Sequence, residues 1–122
     1  MKLAGAAVLE ALSGHDSVRD AVIRSVQIGE EADKTYVRIQ LSGRADSKYG
    51  MIELTLRDII EYGFYDFGEW GAHPVEMLKF MALDDGAFYI SLDPHDERVE
   101  NLAEEDNYFV HARSVEAVLT PR

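Results

Sequence analysis

The sequence predicts a mainly β fold, with α+β as the alternative: one antiparallel sheet or open sandwich of about five or six strands, with short helices and an N-terminal helix. Three observations carry this expectation. Residues 77–94 read as a β-hairpin turning at Asp85-Gly86, residues 35–41 and 50–57 alternate apolar and polar side chains, and polar or glycine-bearing clusters punctuate the chain between them.

The hairpin comes first because its turn is legible. Leu78 to Leu83 leads into Asp84-Asp85-Gly86, and Ala87 to Leu92 returns to a stop at Asp93-Pro94. Asp-Gly supplies the positive φ angles of a tight turn. A loop centred on Asp85-Gly86 sets Leu83 opposite Phe88, Met81 opposite Ile90 and Lys79 near Leu92, so that face is expected to be buried. Pro94 has no N–H for a ladder and ends the second strand.

The remaining elements follow in chain order. Lys2 to Leu12 is rich in Ala and Leu and predicts a helix opposed only by Gly5, with Ser13-Gly14-His15-Asp16 ending it. Residues 21–28 are ambiguous, because Ser17-Val18-Arg19-Asp20 also fits a helix-opening capping box. Strand is preferred there, since Val22-Ile23 is β-branched and Ser25 to Ile28 alternates. Gly29 to Lys34 forms a polar turn into the strand Thr35 to Leu41, which buries Val37, Ile39 and Leu41. A loop from Ser42 to Tyr49 precedes a third strand burying Ile52, Leu54 and Leu56. Wet opposite faces favour antiparallel pairing. Asp58 to Glu61 is either a helical turn or a bulged continuation. The last strand is expected from Tyr108 to Leu119.

Composition bounds the function. The chain has 122 residues, 13.7 kDa and 47% hydrophobic content, which suits a single domain over residues 1–122. Twelve basic against twenty-three acidic residues leave a formal charge of −11, which opposes nucleic acid and anionic membrane surfaces and suits a basic protein partner. With no cysteine, thiolate metal sites and thiol catalysis are excluded, and the cytoplasm is the expected compartment. The apolar run from Leu3 to Leu9 is interrupted by Glu10 and reads as a helix rather than a secretory leader. No stretch is long enough to suggest a membrane span.

Two segments stand out as candidate surfaces. Tyr62 to Trp70 packs five of the chain's aromatics between glycines and is followed by His73-Pro74. Tyr62, Tyr65, Trp70 and His73 are the candidate binding residues here, against the alternative that Phe64, Phe67 and Trp70 serve the core. Asp93 to Asp106 carries seven acids and one Arg, with Asp96, Glu97, Glu104, Glu105 and Asp106 as candidate docking residues and Asp96 as the cap of a short helix. Its spacing does not match a calcium loop. His15, His73, His95 and His111 are too scattered for a spaced ligand pair, so no metal, cofactor or catalytic residue is assigned. His95 lies among carboxylates and is read as an exposed turn residue.

The acidic, cysteine-free, strand-rich layout is similar to that of small bacterial cytosolic proteins, including immunity proteins that block toxins. That resemblance rests on layout without a diagnostic motif and transfers no residue. The ranking that results is a non-enzymatic protein-binding module first, inhibitor-like against a basic partner. A small-molecule pocket or enzyme built on residues 62–73 comes second, and a homodimer through the aromatic loop third.

Overall fold

A computed structural model of the chain describes residues 1–64, 73–98 and 105–122, the side chain of His73 excepted. Its elements are β1 (Lys2–Ala4), α1 (Ala6–Ala11), a 3-10 turn (Gly14–Asp16), β2 (Val22–Glu31), β3 (Lys34–Ser42), β4 (Tyr49–Gly63), β5 (His73–Pro74), β6 (Lys79–Ala82), β7 (Phe88–Asp93) and β8 (Asn107–Pro121). The fold is mainly β, one antiparallel sheet in the order β5-β2-β3-β4-β8-β7-β6 with β1 added on β8. Among the described residues that makes eight strands rather than five or six. No helix among them is long and apolar enough to cross a membrane.

The N-terminal helix is shorter than propensity suggests. Gly5 has φ 64° and donates its N–H to Val115 O at 2.9 Å, so the chain turns there and Lys2–Ala4 pairs with β8 instead of coiling. Only Ala6–Ala11 remains helical, burying Val8. Tertiary pairing outweighs an Ala-rich segment because six helical residues alone are far below a stable isolated length.

Residues 22–31 are strand, as their β-branched composition favoured. β2 turns into β3 through Ala32-Asp33, with φ 51° and 63°, and Glu31 pairs with Lys34. Two positive φ angles in a two-residue loop are the requirement of a type I′ turn, and alanine meets it poorly. The double variant Ala32→Asn, Asp33→Gly is expected to raise unfolding free energy by about 1 kcal/mol. Urea denaturation would check this, and equal or lower stability would contradict the turn geometry.

In β3 and β4 the alternation is realised. Val37, Ile39, Leu41, Leu54 and Leu56 are fully buried, while Arg38, Gln40 and Glu53 lie on the opposite face, linked across strands. The Asp58 to Glu61 stretch is a bulged continuation: Asp58 has φ 53° and the β4–β8 register shifts between Ile59 and Glu61. β8 begins one residue earlier and ends two later than expected.

The sheet is curled. Seven strands laid flat would put β5 and β6 about 29 Å apart, at ~4.8 Å per spacing. The chain crosses from Pro74 to Lys79 in five residue steps, which reach at most about 18 Å. The two edges must therefore approach one another. α1 packs on β6 and β8, and Val8 and Leu12 join a core formed by Ile23, Ile39, Leu54, Ile90, Val110 and Leu119 on the concave side.

The hairpin holds the main correction. Leu83 N–H donates to Ala87 O and Gly86 N–H to Leu83 O, so the loop is Asp84-Asp85-Gly86, one residue longer than a loop centred on Asp85-Gly86. Gly86 takes φ 86°, the left-handed position. Phe80 pairs with Ile90, Met81 with Tyr89 and Lys79 with Ser91. Ile90 and Leu92 are in the core as expected, but the residues that join them there are Phe80, paired with Ile90, and Leu78, just before β6; Lys79 and Met81 belong to the other face. A single-residue slip exchanges the faces of a strand.

Candidate functional site

That slip places Lys79 on the reverse face of the β6-β7-β8 end. Tyr89 and Ser91 lie opposite Met81 and Lys79, and Tyr89 and Ser91 in turn lie opposite His111 and Phe109 of β8. Asp106 is the residue just before β8, whose second residue, Tyr108, takes φ 47°. The Lys79 Nζ stands 2.9 Å from Asp106 Oδ2, the Tyr89 hydroxyl donates to the same oxygen at 2.7 Å, and the His95 backbone N–H donates to Oδ1 at 2.9 Å. Both charged side chains are buried, at 2% and 0% exposure.

Burial pushes the Asp106 carboxyl up, but the hydrogen bonds from Tyr89, Lys79 and the His95 N–H, with the Lys79 charge, leave it below the ordinary value. It is an ionised carboxylate held by three donors. Around it Ser91 donates to Asn107 O at 2.7 Å, Tyr89 stacks on Phe109 at 5.8 Å, and His111 meets the Tyr89 ring edge-on at 6.2 Å. The His111 Nε2 is buried and has no hydrogen-bond partner among the described residues.

This arrangement takes Asp106 out of the acidic docking surface, because a carboxylate with no exposed area, committed to Lys79, cannot meet a partner. Other members are also engaged internally. Asp96 accepts from the Arg98 guanidinium and backbone N–H, which hold its carboxyl down to about 2. Glu97 accepts a two-point fork from Arg19, at 2.7 and 2.9 Å, and the Leu78 N–H at 3.1 Å; these keep it below the usual carboxylate range. Glu105 is exposed. Glu104 and the helix expected to be capped by Asp96 lie largely outside the described residues.

In the aromatic segment, Tyr62 is 42% exposed and its ring lies 6.2 Å from that of Phe64, which is buried in the core. Tyr65, Phe67 and Trp70 lie outside the described residues, and of His73 only the backbone, in β5, is placed. The pocket expected between residues 62 and 73 therefore falls on the same undescribed stretch. His95 is exposed. Among the described residues no group of three or more metal-ligating side chains is brought together.

Charge over the surface is uneven in its pairing. Arg19, Lys34, Arg38, Arg44, Lys48, Arg57, Lys79 and Arg98, eight of the twelve basic side chains, sit in ion pairs among the described residues. The acid surplus is thus carried by carboxylates outside those pairs, among them the exposed Asp20, Glu30, Asp33, Glu61, Glu76, Asp84, Asp85 and Glu105.

The Lys79–Asp106 pair was invisible to periodicity, since either residue alone reads as a surface charge. The available signal was Lys79 itself, a cation inside an otherwise apolar run that a one-residue shift of register turns away from the core. No protein-family model matches this chain, and no curated protein or solved structure is significantly similar to it.

Proposed function

We propose that the protein is a non-enzymatic binding module that docks a basic protein partner through its exposed carboxylates. The observation that supports this reading is the unpaired acid surplus: most basic side chains are already neutralised within the chain, so the net charge of −11 is presented by carboxylates free to meet an incoming cationic surface. Clustered charge of one sign speeds encounter with an opposite surface and selects against like-charged ones. In the inhibitor-like form of this reading, the carboxylates occupy the place that phosphates take on a basic nuclease.

The internal commitments narrow the test. Of the five candidate docking carboxylates, Asp96, Glu97 and Asp106 serve the chain's own structure, which leaves the docking role to Glu104 and Glu105. Affinity capture from lysate of the source cell at low and moderate salt should retain a basic protein that added salt releases. The double variant Glu104→Gln, Glu105→Gln should keep its thermal stability, capture that protein about tenfold more weakly, and show a shallower salt dependence. Capture by the variant that matches the parent at both salt concentrations would sink the proposal.

A further inference from the structure

The kink shared by β4 and β8 opens a second kind of site. Leu56 and Ile59 are three residues apart yet both pack toward the core, and so do Ala112 and Val115 on the facing strand. Strict alternation forbids that spacing, and the change of face occurs where Asp58 takes φ 53°, level with Arg113 by the pairs Arg57–Ser114 and Ile59–Ala112. A concavity of about 400 Å³ lies there, lined by Lys34, Thr35, Asp58, Ile59, Ile60 and Arg113. That volume is within the usual range for small-molecule sites, toward its lower end.

Its charge runs against the net charge of the chain. Lys34 Nζ lies 3.3 Å from Asp58 Oδ1, so the lone carboxylate of the lining is already matched. Among the described residues, seven of the eight arginines hydrogen-bond to carboxylates, hydroxyls or backbone carbonyls, while the Arg113 guanidinium makes no hydrogen bond or ion pair. The lining therefore holds two cations against one anion, a local charge of +1 on a chain of −11. Beside this free fork stands apolar surface, including Ile60 at 45% exposure.

We infer that this concavity is a binding site for a small organic carboxylate carrying a short apolar group. The planar guanidinium of Arg113 suits a carboxylate through two parallel N–H donations. Ile59 and Ile60 give the apolar group a surface to cover, and the Thr35 hydroxyl is a further donor on the lining. A cationic ligand finds its only counter-charge taken by Lys34. A phosphate dianion brings more negative charge than the net +1 of the lining neutralises and leaves the isoleucines uncovered. This site is separate from the acidic docking surface and stands or falls independently of it.

The test is an amide-resolved NMR titration of the full chain with hexanoate, using hexan-1-ol and inorganic phosphate as comparison probes. Saturable shifts at Thr35, Ile59, Ile60 and Arg113 are expected, with hexanoate binding at about 1 mM and about tenfold weaker in Arg113→Gln. Arg24→Gln, remote from the concavity, should bind hexanoate like the parent. Absence of saturable shifts at those amides, or equal binding by Arg113→Gln, would overturn the assignment. Hexan-1-ol binding as tightly as hexanoate would remove the role of the carboxylate, and phosphate binding as tightly would remove that of the apolar group; either result also overturns it.

Discussion

Lys79→Met is expected to lower unfolding free energy by about 3 to 5 kcal/mol, the cost typical of leaving a buried charge without its partner. Asp106 would retain the Tyr89 hydroxyl and the His95 N–H but lose its cation in a place without exposed area. Urea denaturation of the variant would measure the loss. Adding Asp106→Asn to Lys79→Met should recover part of it, because a neutral amide needs no counter-ion. A loss below about 1 kcal/mol would show that the pair is not desolvated as the structure places it.

The same variant should differ in its pH response, and the sign follows from linkage. In the parent chain the Asp106 carboxyl lies below its ordinary value of 3.8. A carboxylate whose pKa falls on folding contributes stability that is fully present above the unfolded value and is lost as pH falls through the folded value. Parent stability from this group should thus persist to about pH 4 and decline below it. Removing Lys79 leaves burial, the largest influence and one that raises the pKa, with less opposition. The carboxyl of the variant should then take up its proton at higher pH than in the parent chain. The gap in stability between parent and variant should shrink as pH falls from 7 toward 4, and a gap that stays constant would argue against Asp106 as the group responsible.

The second large effect tests the hairpin register. Ile90→Ala is expected to cost about 2 to 5 kcal/mol, since Ile90 has no exposed area and lies in the central core cluster. Met81→Ala should cost about 1 kcal/mol or less, because Met81 is only partly buried and sits on the opposite face beside Tyr89. Had the loop held two residues, Met81 and Ile90 would be direct neighbours on the buried face, and both truncations would be severe. Equal large losses would therefore return the hairpin to that register, while the expected contrast supports the pairing of Phe80 with Ile90.

Where residue types alone dictate backbone behaviour, the sequence was sufficient. The alternation Val37-Ile39-Leu41 and Ile52-Leu54-Leu56 identified two central strands and their buried faces, because a two-residue period has one solution on a pleated surface. The Asp-rich, Gly-bearing loop located the hairpin, and β-branched residues favoured strand over helix for residues 22–28, a choice that the pairing with β3 decides. The acid surplus was readable in the same way, as a sum over side chains.

What remained depended on partners distant in the chain. Lys2–Ala4 became a strand because the edge of β8 offered hydrogen bonds, a fact that no local propensity contains. The hairpin register turned on one residue of loop length, and the energies of neighbouring turn types differ too little for composition to choose. That choice sent Lys79 to the reverse face, 27 positions from Asp106, where the two charges met out of water. The free Arg113 beside Ile59 and Ile60 likewise arose from a kink spanning two strands. The sequence by itself determined the two central strands β3 and β4, their wet and dry faces and the sign of the surface; only the tertiary structure decided the faces of the hairpin and which charges are buried, which are paired and which stay unpaired among the described residues, because burial and pairing are properties of two or more segments at once.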